Sequence, residues 1–187
     1  MNITRLLITA AAGGILSGVF GYFLIPILRT LKAGQSIREV GPTWHNNKAG
    51  TPMMGGLMFI FDSIIVLLCN LPFMKDYSVF YVLLLSLSFG FVGFLDDYAK
   101  MKKKQNEGLT SGQKFMLQLA VSALFLYIMY RSGAMSTEMY IPFFHLSIPL
   151  HPIVYIFLSM FIMVGCDNAV NLTDGVDGLS SSVTITV

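Results

Sequence analysis

From Leu6 to Leu28 the chain runs without a single charge, bracketed by Arg5 and Arg29. An α-helix needs roughly 20 such residues to cross the hydrocarbon core of a bilayer. Helices and closed barrels alone satisfy every backbone N–H and C=O once water is gone, so a run like this leaves few choices of structure. The pattern recurs. Ala49–Met74 carries one charge, Asp62, and Tyr77–Leu95 carries none. Phe115–Tyr130 is the core of a fourth stretch, extended by Gly112 and Gln113, and Pro152–Cys166 continues into Asn168–Val170 as a fifth. Gly178–Val187 has the composition of the first half of a sixth. The whole chain is 55% hydrophobic and 12% charged, with a mean hydropathy of +0.69, whereas soluble domains carry about a quarter charged residues. The expected fold is an all-α polytopic membrane protein, a single domain over residues 1–187 with about five full transmembrane helices and the start of a sixth. The first stretch exceeds the apolar core of a signal peptide and no small-x-small cleavage pattern follows it, so no cleaved leader is expected.

Charge placement sets an orientation. Alternating the connections puts residues 30–52, 96–114 and 167–177 on one side of the membrane. The N-terminus, residues 71–77 and residues 131–151 fall on the other. The first side holds nine basic residues: Arg29, Lys32, Arg38, Lys48, Lys100, Lys102, Lys103, Lys104 and Lys114. The second holds three, Arg5, Lys75 and Arg131. Basic loops stay in the cytoplasm, so the three loops are expected inside and the N-terminus outside. In the external segment, Met139-Tyr-Ile-Pro-Phe-Phe-His-Leu-Ser-Ile148 has the aromatic and β-branched content of a short hairpin, or of a loop lying on headgroups. His145 and His151 fall there, away from the acidic residues, and read as structural. Cys69 and Cys166 have neither the spacing nor the context of a disulfide or zinc site.

The polar residues with chemical interest gather in the three cytoplasmic loops. Asp96 and Asp97 end the uncharged run Tyr77–Leu95. Adjacent carboxylates repel and resist desolvation, and so need a metal, a phosphate-bound cation or lysines nearby. Acids at a helix C-terminus also oppose the macrodipole. If the helix continues, Asp96 and Lys100 pair at i,i+4, and Asp97 points about 100° away, free for a metal or a proton. Lys102–Lys104 also read as a basic patch on anionic lipid. In the first loop, Gly41-Pro-Thr-Trp-His45-Asn-Asn-Lys48-Ala-Gly-Thr-Pro52 specifies turns whose N–H groups, with Lys48 and His45, suit an anion. The plainer reading is a connecting loop whose lysine snorkels to lipid phosphate. The third loop, Asp167-Asn-Ala-Val-Asn171-Leu-Thr-Asp174-Gly175-Val-Asp177-Gly178, has three carboxylates, two asparagines and no base. That donor set suits Mg²⁺ or hydrogen bonding to a sugar or uracil. Asn168 and Asn171 would share a helical face, and the sequon Asn171-Leu-Thr173 is inert on the inner side. Loops of opposite charge on one face point to phosphate binding or phosphoryl transfer at the inner leaflet. Asp62, an ionisable group inside a span, is either paired with a neighbouring helix or placed near a lipid tail or an oligomer contact.

Three ordered strings carry a resemblance: Gly41-Pro…His45…Lys48-Ala-Gly-Thr-Pro…Met-Gly-Gly56, Asp96-Asp-Tyr-Ala-Lys100…Gly108-Leu-Thr…Gln113-Lys114, and Asn168-Ala-Val-Asn-Leu-Thr-Asp-Gly-Val-Asp-Gly-Leu179. Together they closely resemble the phospho-N-acetylmuramoyl-pentapeptide-transferase family, within the polyprenyl-phosphate N-acetylhexosamine-1-phosphate transferases. The resemblance implies transfer of phospho-MurNAc-pentapeptide from UDP-MurNAc-pentapeptide to undecaprenyl phosphate, releasing UMP, with Mg²⁺ as cofactor. It implies a multi-pass protein of the bacterial inner membrane that acts in peptidoglycan synthesis. The lipid bilayer is then a partner, a homodimer is compatible, and nucleic acid is not a partner. Carried onto these residues, Asp96 and Asp97 are the catalytic pair, one orienting or deprotonating the lipid phosphate and the other near the metal. Lys48, Lys100, Asn171, Asp174, Gly175 and Asp177 bind substrate, and Asp97 and Asn171 are the metal ligands.

Two departures from the family pattern stand out. Met53 replaces a frequent threonine, removing a hydrogen bond to nucleotide. Family members also continue past the position of Val187 with another cytoplasmic aspartate and a histidine-rich loop, so residues 1–187 alone are expected to be inactive. The alternatives are a sister enzyme using UDP-GlcNAc, or an ion-coupled transporter suggested by Asp62.

Overall fold

The computed structural model describes residues 3–30, 52–74, 76–103, 108–174 and 179–186. Five long helices follow the apolar stretches: α1 (Ile3–Thr30), α2 (Gly56–Asn70), α3 (Val79–Lys103), α4 (Ser111–Arg131) and α5 (Pro152–Thr173). A shorter α6 spans Leu179–Thr186. With a 3-10 turn at Leu71–Phe73 lengthening α2, all five long helices have the length and hydropathy to cross a membrane. Phe23, Phe91, Tyr127 and Phe161 stand exposed along them. On helices this apolar, such surface faces lipid, so the architecture is that of an all-α, multi-pass membrane protein. The chain forms two compact units, residues 1–114 and 115–187.

In the first unit α1 and α2 pack antiparallel. The Arg5 guanidinium lies 3.9 Å over the Phe73 ring, and Thr9 Oγ1 donates to Asn70 Oδ1 at 3.3 Å. A Cβ on Gly21 would meet Met58 Sδ at 3.3 Å. Small residues let helix backbones approach where lipid offers no hydrophobic drive for association. α3 returns antiparallel to α2, because a Cβ on Gly90 would fall 3.1 Å from Ile60 Cδ1 while Met54, just before α2, reaches Asp97 near the end of α3. The start of α2 and the end of α3 therefore share one end of the unit. Asp62 sits mid-way along α2 facing Gly13, whose Cβ would lie 3.6 Å from Asp62 Oδ2. Its Oδ1 is buried with no hydrogen-bond partner among the described residues. Of the two readings of Asp62, pairing with a neighbouring helix finds no hydrogen bond to this oxygen among the described residues.

In the second unit the segment between α4 and α5 folds as the expected hairpin. β1 (Glu138–Ile141) and β2 (Leu146–Pro149) pair antiparallel with Met139 opposite Ile148. A 3-10 turn at Pro142–Phe144 joins them, and His145 takes a left-handed conformation, φ 49°. Both histidines serve local structure. The Tyr140 hydroxyl lies 2.8 Å from His145 Nδ1, and His151 caps α5 by accepting from the Ile153 N–H. Pro152 follows at the first helical position, where its missing N–H costs nothing.

Candidate active site

α3 does not stop where its apolar residues stop. It runs eight residues beyond Leu95 to Lys103, which puts Asp96, Asp97 and Lys100 on one continuous helix. Lys100 Nζ sits 2.7 Å from Asp96 Oδ2 and 3.1 Å from Asp97 Oδ1. The sequence reading left Asp97 free, and the structure corrects this. Positions i,i+3 are neighbours on a helix as well as i,i+4, and one flexible ammonium with three donors serves both acids. The two remaining carboxylate oxygens are held by backbone. The Leu109 N–H donates to Asp96 Oδ1 at 2.9 Å and the Met54 N–H donates to Asp97 Oδ2 at 3.2 Å. Each of the four oxygens thus has one donor, which is how two adjacent acids coexist at the end of an apolar helix.

Two segments are fixed by these contacts. The turn after α3 folds back so closely that a Cβ on Gly108 would stand 2.3 Å from the Asp96 carbonyl oxygen, so only glycine fits. Lys103 Nζ donates to the Gly108 carbonyl at 3.1 Å, tightening the same turn. Met54 adopts φ 66°, uncommon for a residue with a side chain, and its amide is the one that reaches Asp97. Downstream, the Gln113 N–H donates to Thr110 Oγ1 at 3.2 Å and the Thr110 N–H donates to Gln113 Oε1 at 3.0 Å. This reciprocal cap starts α4. Its pattern, Thr-x-x-Gln, was readable in sequence.

α5 also outruns its apolar stretch. Residues 167–173, read as the start of a loop, are helical through Thr173. Asn171 and Asp174 are both exposed on the last turn, three apart on one face. One turn earlier, Asp167 and Asn168 are engaged by α4: the Gln118 amide donates to Asp167 Oδ2 and accepts from Asn168 Nδ2 at 2.8 Å. Asp167 therefore leaves the oxygen-donor set assigned to this segment, and Gln118, missed in sequence as one polar residue in an apolar span, enters the description. Lys48, Gly175 and Asp177 lie outside the described residues, as do His45 and Lys104.

Among the described residues no three His, Cys, Asp or Glu side chains group as a metal cage. Mg²⁺ seldom uses one, binding instead through one or two carboxylates together with substrate phosphates and water. Asp97 fits that smaller demand, because each of its oxygens accepts one hydrogen bond and keeps a lone pair. Asn171 is exposed, and its amide oxygen is the kind of neutral donor such a site accepts.

In the first unit an apolar helix carries a lysine-bridged acid pair near its end, and in the second α5 ends in exposed Asn171 and Asp174. Residues 79–187 match the model of glycosyl transferase family 4, and the chain belongs to that family. It is 48% identical over 168 residues to the phospho-N-acetylmuramoyl-pentapeptide-transferase of Clostridium acetobutylicum, covering 89% of this chain and 52% of that protein. It is 46% identical over 166 residues to the protein of the same name from Staphylococcus carnosus, covering 87% of this chain and 51% of that one. The chain spans about half the length of the curated relatives it matches.

Proposed function

We propose that the protein carrying this chain transfers phospho-MurNAc-pentapeptide from UDP-MurNAc-pentapeptide to undecaprenyl phosphate. An oxygen of the lipid phosphate bonds to the sugar-bearing phosphorus of the donor, the diphosphate P–O bond breaks, and UMP leaves with the electron pair. The lysine-bridged pair Asp96–Asp97 at the end of α3 is the observation that best supports this reading. It brings an ammonium and two carboxylates together near the end of an apolar helix of membrane-spanning length. Phosphoryl transfer demands mainly positioning and charge neutralisation. Lys100, with Lys48, neutralises the donor diphosphate, and its move from carboxylate to phosphate exposes Asp96 and Asp97. One of the pair orients or deprotonates the lipid phosphate. Asn171, Asp174, Gly175 and Asp177 bind the nucleoside diphosphate. Asp97 and Asn171 are the residues that would hold Mg²⁺, which would supply charge stabilisation to the phosphates. The nine-to-three distribution of basic residues supports a site on the cytoplasmic side of the bacterial inner membrane.

The test is UMP release by the full-length protein in detergent or nanodiscs. Turnover should require Mg²⁺ and fall at least about a thousandfold in Asp97→Asn, since the substitution removes the charge while keeping the shape. Retained turnover in that variant would overturn the role given to Asp97. Faster turnover with UDP-GlcNAc than with UDP-MurNAc-pentapeptide would overturn the choice of donor.

A further inference from the structure

Gln118 and Ser122, one turn apart on α4, are the fully enclosed polar residues among those described, each 0% exposed. A buried primary amide is costly unless each end finds a partner, and here both do. Nε2 donates to Asp167 Oδ2, and Oε1 accepts from Asn168 Nδ2 at 2.8 Å. The second Asn168 amide hydrogen goes to the Val164 carbonyl, also at 2.8 Å. Ser122 Oγ donates to the Gln118 backbone carbonyl at 2.8 Å. The amide can be oriented only one way. Flipped, it would set its oxygen against a carboxylate and its N–H₂ against another N–H₂. The network is therefore directional, and it binds two consecutive residues of α5 to one residue of α4.

The position of those two residues gives the clamp its consequence. From Asp167, Asn171 is four residues on and Asp174 seven; from Asn168, Asn171 is three on. All fall along one side of the helix, so fixing Asp167 and Asn168 fixes the rotation of the last turn that presents Asn171 and Asp174. The apolar surface of α5 contributes little to this: Phe157, Phe161 and Ile162 are more than half exposed, and Val164 is its one buried apolar residue among those described.

We propose that Gln118 is a positioning residue: through Asp167 and Asn168 it sets the azimuth of the end of α5 and so the affinity for the nucleotide end of the donor. What the turn binds rests on the transferase reading above, whereas the clamp itself does not. Asp167 serves here as an acceptor within the clamp and touches no substrate.

The test uses the full-length protein with three variants, Gln118→Leu, Gln118→Glu and the reversed pair Gln118→Glu/Asp167→Asn. Donor KM, kcat and thermal midpoint are measured, together with amide hydrogen exchange over residues 165–174. Gln118→Leu should raise KM for UDP-MurNAc-pentapeptide by about tenfold or more while kcat stays within about threefold, and exchange over residues 168–174 should quicken. Gln118→Glu, which faces one carboxylate with another, should do the same or worse. The reversed pair restores a donor facing an acceptor and should return KM and exchange to near the parent values. The proposal is overturned if Gln118→Leu leaves exchange unchanged, if it lowers kcat and Tm with KM constant, or if the reversed pair is no better than Gln118→Glu alone. A parent protein that releases no UMP would defeat the transferase reading, and exchange would still decide the clamp.

Discussion

Asp62 and Asp97 are both acids on apolar helices, yet their surroundings differ. Asp97 sits near the end of α3 with a lysine on one oxygen and a backbone N–H on the other. Asp62 lies inside the α1–α2 contact with one buried oxygen unpartnered among the described residues. An unsatisfied buried polar atom costs about 1–3 kcal/mol, and an apolar residue of similar shape removes the cost. Asp62→Leu should therefore raise the thermal midpoint of the protein in detergent. A lowered midpoint would show instead that the carboxyl has a partner. From sequence, Asp62 reads as an ionisable group inside a span and Asp97 as free for a metal or a proton. Their surroundings come from Gly13 and Met54, 49 and 43 residues away, and spacing along one helix does not reveal them.

At the scale of elements, helix ends matter more here than helix middles. The middles are dictated by hydropathy, and all five long helices fall on the apolar stretches. The ends depend on polar capping. α3 and α5 continue past their apolar residues because nothing breaks them, and α4 begins where Thr110 and Gln113 exchange hydrogen bonds. Removing the capping hydroxyl typically costs about 1 kcal/mol. Thr110→Ala should lower the thermal midpoint and speed exchange at residues 111–114, while Thr110→Ser should behave as the parent. Equal behaviour of Ala and Ser would show that the cap contributes nothing. On the opposite connection, Ser78 donates its hydroxyl at 2.7 Å and its N–H at 2.9 Å to Asp76. These bonds hold the Asp76 carboxyl below the usual carboxylate range. The small stabilisation from this exposed turn is present above the unfolded-state pKa and lost as pH falls through the folded one. The hairpin at 138–149 was legible because aromatic and β-branched residues flank Pro142.

For the whole molecule, the proposed orientation makes a direct prediction. With Cys69 and Cys166 replaced, a single cysteine at Ala134, between α4 and β1, should react with a membrane-impermeant maleimide in intact cells. One at Lys102, in the last turn of α3, should react only after the membrane is opened. The reverse pattern would place the acid pair outside and remove the proposed access to a cytoplasmic nucleotide. The nine-to-three asymmetry is a property of the chain's charges. The antiparallel order of α1, α2 and α3 shows that the start of α2 and the end of α3 share one end of their unit, as the alternation of loops requires.

Hydropathy and charge are local, additive properties, and the sequence by itself determined what depends on them: the number of membrane-length helices, the hairpin, the acid pair and its lysine. Partner choice was decided by tertiary structure. That Asp97 takes the Met54 amide, that Gly108 passes where any Cβ would clash with the Asp96 carbonyl oxygen, and that Gln118 is sealed between Asp167 and Asn168 each require segments apart in the chain to meet. A buried polar group selects its partner by distance and direction, and neither is encoded in the order of residues along one helix.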